Sequence, residues 1–128
     1  MQKILLADDE AHITSLLARR LRAMGFEVVI ATDGEEALEF ARSHMPSLVV
    51  TDLQMPYLNG LEFTEQLRAT PGLESIPVLM LTARGHVVQR EEIERLGITD
   101  LHPKPFSVRK LTDRVAELLG GASNRKAA

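Results

Sequence analysis

The sequence predicts a doubly wound α/β domain on a five-stranded parallel sheet, and three observations predict it. Short apolar runs alternate with longer amphipathic segments five times along the 128-residue chain. The runs at residues 4–7, 28–30, 48–50 and 78–81 are continuously apolar, as strands covered on both faces are. The segments between them repeat apolar residues every three or four positions, the period of a helix with one buried face. Strand followed by helix, repeated, implies crossover connections and therefore parallel strands.

Each element carries its own boundary signals. The first strand runs straight into acid. The first helix places Ile13, Leu16, Leu17, Leu21 and Met24 on one face, and Gly25 stops it. After the second strand, Asp33 is the expected N-cap, with Glu36 at the capping-box position and Ala37, Leu38 and Ala41 toward the core. The third strand leads through Asn59-Gly60 to a short helix marked by Leu61, Thr64 and Leu67. The fourth leads to a more charged helix from Val88 to Leu96, ended by Gly97. A weaker run at residues 98–102 is expected as the last strand, and Pro103, which has no N–H, shortens or distorts it. The last helix has the clearest stripe, Val108, Leu111, Val115, Leu118 and Leu119, capped by Ser107 and ended by Gly120-Gly121. The domain is expected over residues 1–121, with 122–128 a small, polar, flexible tail.

Composition removes several functional classes. The length fits one domain able to bury a core without staples. A net charge of −3 is no nucleic-acid footprint, and Arg125-Lys126 is too short a basic run to make one. The absence of cysteine excludes disulfides, thiolate metal sites and a cysteine nucleophile. The four histidines have no metal-ligand spacing. No apolar run is long enough to span a membrane, and the start reads as strand rather than signal peptide. A cytoplasmic location, with no direct contact to nucleic acid or membrane, is the default expectation.

In open parallel sheets ligands bind beyond the carboxyl ends of the strands. The polar residues there are Asp8, Asp9 and Glu10 after the first strand, Asp52 after the third, Thr82 after the fourth and Lys104 after the fifth. Two carboxylates about 4 Å apart repel by roughly 4 kcal/mol at an effective dielectric of about 20. A hard divalent cation with oxygen ligands relieves that repulsion, and an all-oxygen donor set favours Mg²⁺ or Mn²⁺ over Zn²⁺. Mg²⁺ usually completes its shell with water and phosphate oxygens. The set therefore points to phosphoryl transfer onto a carboxylate. Lys104 suits a phosphoryl oxygen as a point charge, and Thr82 can donate a hydrogen bond to another, moving its loop as it does so.

These residues resemble the response-regulator receiver family: Asp8-Asp9, Asp52 within Thr51-Asp-Leu-Gln-Met-Pro56, Thr82-Ala83, Lys104-Pro105-Phe106 and the loop Met55-Pro56…Asn59-Gly60. The resemblance covers about residues 2–120. It implies a flavodoxin-like (βα)5 fold with strand order 2-1-3-4-5 and a cis peptide between Lys104 and Pro105. It implies Asp52 as phosphoacceptor, with Thr82 and Lys104 assisting. Asp9, Asp52 and the carbonyl of Gln54 would ligate Mg²⁺ directly, and Asp8 through water. The donor would be a histidine kinase or histidine phosphotransfer protein, and the output a changed affinity of the face formed by helix four, strand five and helix five for an unidentified partner or a second copy. The first helix edges the kinase-docking surface in this family. Where the family usually carries Tyr or Phe, three residues before its lysine, this chain has Leu101, which has no ring to swing inward. Gln54 and Arg84 occupy positions that tune phosphoryl hydrolysis in the family.

The leading expectation is thus a phosphoacceptor signalling module without an attached output domain, whose product is itself and which is therefore no conventional enzyme. Two other readings compete. A metal-dependent phosphatase with an Asp nucleophile would place it after the first strand, yet Asp8-Asp9-Glu10-Ala11 lacks the usual context and no cap insertion encloses a substrate. A degenerate receiver that only binds partners is favoured by Leu101 and opposed by the complete set of acids, Thr82 and Lys104.

Overall fold

The computed structural model describes residues 1–83 and 87–120. The expected tail, Gly121, Arg84 and His86 lie outside the described residues. Ten elements alternate: β1 (Lys3–Ala7), α1 (Ala11–Ala23), β2 (Glu27–Ala31), α2 (Gly34–His44), β3 (Leu48–Asp52), α3 (Gly60–Arg68), β4 (Val78–Thr82), α4 (Arg90–Leu96), β5 (Asp100–Pro103) and α5 (Val108–Leu118). The strands are all parallel, in the order β2-β1-β3-β4-β5.

Strand side chains alternate between the two faces of the sheet. Ile4, Leu6, Leu48, Val50, Leu79 and Leu81 pack with α1 and α5. Leu5, Ala7, Val49, Val78 and Met80 pack with α2, α3 and α4. Every residue of β3 and β4 is buried, because both faces are covered. Among the described residues no helix is long and apolar enough to cross a membrane.

Several boundaries differ from the expectation, each for a local reason. Asp52 and Thr82 are the last residues of their strands rather than the first beyond them, since the ladder pairs Asp52 with Leu81 and Thr82 with Pro103. Helix α4 starts at Arg90, not Val88. Val88 and Ile93 take the positions of a hydrophobic staple around the Gln89 N-cap, both against the same core. Ile98 belongs to the end of α4 rather than to β5. Its N–H donates to Ile93 O at 3.1 Å across Gly97, whose φ is 63°, the Schellman pattern. Asp33 caps α2 as expected, accepting from Glu36 N at 2.8 Å. The Glu36 carboxylate, however, returns to Thr32 N at 2.7 Å rather than to the cap residue. The reciprocal capping box forms at α3, between Asn59 and Glu62. Leu16 is 52% exposed rather than part of the core. It lines an apolar hollow with Ile13, Pro105, Phe106 and Val108.

Pro103 ends β5 after four residues, as its missing N–H requires. Short β5 is held from α5 instead. Asp100 accepts from Arg114 Nε at 2.7 Å and Nη2 at 3.2 Å, and lies 3.2 Å from His102 Nε2. The Arg114 hydrogen bond outweighs burial and holds the Asp100 carboxyl below its ordinary value of 3.8. A depressed carboxylate stabilises the fold above its unfolded pKa, and the contribution is lost as pH falls through the folded value. Asp100→Asn is therefore expected to cost about 1 kcal/mol near neutral pH and to flatten the acid limb of the stability profile. Urea unfolding across a pH series measures this; superimposable acid limbs for variant and parent would show that the pair contributes nothing.

Candidate functional site

Strand register alone gathers the expected residues. Ala7 pairs with Thr51, so Asp8, the first residue past β1, stands beside Asp52, the last residue of β3. Asp52 pairs with Leu81 and Thr82 with Pro103. Lys104 N then donates to Thr82 O at 2.7 Å, one step beyond the last ladder pair. The Lys104–Pro105 peptide is cis. Behind Asp52 the start of α3 approaches so closely that a Cβ on Gly60 would stand 2.5 Å from Asp52 O. Only glycine fits that contact, and Gly60 N donates to Leu53 O at 2.7 Å to close it.

The side chains meet at Lys104. Its ammonium lies 3.1 Å from Asp8, 2.7 Å from Glu10 and 3.3 Å from Asp52. The carboxylate oxygens of Asp8, Glu10 and Asp52 fall within 4.8 Å of one another. Asp8 is 2% exposed and Asp52 6%. Asp8 also accepts from Glu10 N at 2.9 Å, a turn that folds Glu10 back over the site. Asp9, Gln54, Met55, Pro56 and Ala83 join Glu10, Asp52 and Lys104 around an open cavity of 490 Å³. Thr82 is buried at the end of β4, next to Ala83 on that rim. A larger hollow of 720 Å³ between α2 and α3 gathers no such set; Glu35, Glu39 and Arg42 there are exposed.

The electrostatics follow from crowding and burial. Burial first, and the Asp8 charge second, push the Asp52 carboxyl up from 3.8 to about 6, against the pull of Lys104. Burial likewise raises Asp8. Glu10 is lowered, chiefly by its hydrogen bond to Lys104. Burial works against the Lys104 ammonium, but the Glu10 hydrogen bond and the Asp8 and Asp52 charges override it, and the pKa is raised. Lys104 is thus the counter-ion of three carboxylates, and a site so arranged suits an added oxygen-seeking cation.

The structure unites Asp8, Asp52 and Lys104 directly, and it sets Asp9 and Gln54 on the cavity wall. Glu10, to which the sequence assigned no metal or catalytic role, makes the shortest contact with the Lys104 ammonium, at 2.7 Å. Its signal was its place two residues after Asp8, where a carboxylate receives the backbone N–H and turns the chain. Leu101 is partly buried and packs against the core on the α3–α4 side, so it fills space that an aromatic ring could occupy.

Comparison with known proteins agrees with this geometry. The profile of the response regulator receiver domain matches residues 4–116. The transcriptional regulatory protein CpxR of Escherichia coli K12 is 42% identical over 119 residues, 93% of this chain and 50% of CpxR. The chain spans about half the length of the curated relatives it matches. Among solved structures, chemotaxis response regulator CheY4 of Vibrio cholerae superposes with a TM-score of 0.83 at 30% identity, covering 92% of this chain and 98% of CheY4. The receiver domain of the sensor histidine kinase PA1611 from Pseudomonas aeruginosa PAO1 superposes with a TM-score of 0.81 at 28% identity, covering 93% and 98%; it holds a magnesium ion in its active-site cleft.

Proposed function

Because the chain belongs to the response regulator receiver domain family, we propose that it takes a phosphoryl group from a phosphohistidine onto Asp52 and signals through the resulting change of shape. The observation that carries this reading is the Lys104 ammonium within 3.3 Å of Asp52 and 3.1 Å of Asp8 at the floor of an open cavity. In the transfer, an Asp52 carboxylate oxygen bonds to phosphorus while the bond from phosphorus to the donor imidazole nitrogen breaks. The bonding pair stays on the imidazole. Lys104 turns from its carboxylates to a phosphoryl oxygen, and the Thr82 hydroxyl donates to another. Asp8, Asp9, Asp52 and the carbonyl of Gln54, with Glu10 beside them, are the oxygen donors that would hold Mg²⁺. When bound, the ion supplies charge neutralisation between the carboxylates and the incoming phosphate.

The product of this chemistry is the protein itself, so the chain is not a conventional enzyme. The donor is a histidine kinase or phosphotransfer protein, which the apolar hollow between α1 and the β5–α5 connection adjoins the site to receive. Output runs through α4, β5 and α5 to a partner or a second copy. With Leu101 in place of a ring, no aromatic side chain at that position follows Thr82.

The test is incubation with phosphoramidate, with and without Mg²⁺, followed by intact mass. A single phosphoryl gain that requires Mg²⁺, with the acyl phosphate mapped to Asp52, is the expected result. No gain in the unmodified chain would leave a partner-binding module and discard the phosphoacceptor reading.

A further inference from the structure

Glu10 stands at the N-cap of α1, yet its side chain does not cap the helix. Glutamate is not among the residues favoured there, where a shorter oxygen reaches the free N–H groups of the first turn. The carboxylate instead accepts from Lys104 Nζ at 2.7 Å, across 94 residues of chain. Asp8 accepts the Glu10 N–H at 2.9 Å, which sets the direction of that reach. The helix therefore gives no reason for this side chain, and the reason lies at the ammonium.

Three acids share Lys104, and they differ in what they can do. Asp8 and Asp52 are buried. The Glu10 side chain is 46% exposed and one methylene longer, so it alone is free to leave. Its other oxygen lies 4.0 Å from His12 Nε2 on α1, which gives it somewhere to turn. Glu10 and Lys104 also line both the cavity above Asp52 and the neighbouring apolar hollow. The wall between the two is thus built in part from one ion pair rather than from backbone.

A phosphoryl group bound for Asp52 needs the Lys104 ammonium and meets a carboxylate already paired with it. Two unit charges about 4 Å apart in water interact enough to change a rate about fivefold, and the effect grows with the charge of the donor. We propose that Glu10 is a positioning residue that holds Lys104 and sets donor preference, disfavouring small, doubly charged phosphodonors such as acyl phosphates at Asp52. A protein donor offsets the repulsion with contacts remote from phosphorus; a free anion has no such contacts. As transfer proceeds, Lys104 moves to the phosphoryl oxygen and Glu10 turns aside toward His12. The proposal rests on the phosphoacceptor reading above.

Glu10→Gln keeps the length of the side chain and an acceptor for Lys104, and removes the charge. The probes are phosphoramidate, with one net negative charge near neutral pH, and acetyl phosphate, with two. Uptake at Asp52 is followed by intact mass at saturating Mg²⁺, so that a change in metal affinity does not enter the rate. We expect Glu10→Gln to accept from phosphoramidate about fivefold faster, and from acetyl phosphate about twenty-fold faster, than the unmodified chain. Both gains should shrink as salt is raised, because exposed charges are screened; a merely structural role would not move with salt or donor charge. A gain no larger for acetyl phosphate than for phosphoramidate overturns the proposal, and so does a gain that persists undiminished at high salt. Unchanged or slower uptake also overturns it, as expected of an acid that serves only to hold Mg²⁺. Labelling of neither protein by either donor would instead overturn the phosphoacceptor reading.

Discussion

In magnesium-free buffer Asp52→Asn is expected to be more stable than the unmodified chain, and it is expected to take up no phosphoryl group. The two results share one cause. Asp52 is almost fully buried beside Asp8, and their oxygens lie within 4.8 Å along with those of Glu10. At that spacing two carboxylates repel by about 3 kcal/mol at an effective dielectric of about 20. One ammonium cannot cancel three carboxylates, which is why burial and Asp8 push the Asp52 carboxyl up to about 6. Lifting a carboxyl from 3.8 that far corresponds to about 3 kcal/mol, and water at the open mouth screens part of it. The amide is nearly the same shape and carries no charge. A gain of about 1–2 kcal/mol follows, or about 3–8 °C in Tm for a domain of this size. Adding Mg²⁺ should raise the parent more than the variant and narrow the gap. Thermal melts with and without Mg²⁺, beside phosphoramidate labelling followed by mass, measure both parts. A variant that melts below the parent without Mg²⁺ would mean that the acids are not in conflict.

That conflict was largely legible in the sequence, because parallel strands place whatever follows each apolar run on one rim. Asp8, Asp52 and Lys104 needed only the parallel register of neighbouring strands to meet. What stayed hidden depended on geometry that linear spacing does not carry. Glu10 reaches Lys104 because Asp8 accepts the Glu10 N–H and turns the chain, a local competition between side chain and backbone. Leu16 lies about 100° round the helix from Leu17, outside the arc of the buried Thr14, Leu17, Ala18 and Leu21, so it is exposed and lines the hollow beside the β5–α5 connection. Ile98 is as apolar as a strand residue but is taken by the Schellman turn of α4.

Lys104→Ala is expected to act in the opposite direction. Without Mg²⁺ it should destabilise the fold by about 2 kcal/mol, since removing one partner of a buried ion cluster leaves its charges uncompensated. The cost stays below that of a wholly buried pair because the Lys104 side chain is 19% exposed and Glu10 46%, and because the remaining acids relieve themselves by taking up protons. Lys104 also holds the place at which a metal would bring its charge. With the ammonium gone, the three acids have no internal counter-ion, and Mg²⁺ should bind about tenfold more tightly. Ligand binding to the folded state adds stability as the logarithm of ligand over Kd, so Mg²⁺ should rescue most of what the variant loses. Phosphoryl uptake from phosphoramidate should continue, with the ion balancing charge at Asp52. The signalling response should weaken, since the phosphoryl oxygen assigned to Lys104 loses its partner. Isothermal titration with Mg²⁺, melts at several Mg²⁺ concentrations and hydrogen exchange of α4 after phosphorylation read these three effects. If the variant were as stable as the parent without Mg²⁺ and bound the ion no more tightly, Lys104 would not be the resident counter-ion. The contacts at 2.7, 3.1 and 3.3 Å would then carry no electrostatic weight, and the account of the site built on them would fall.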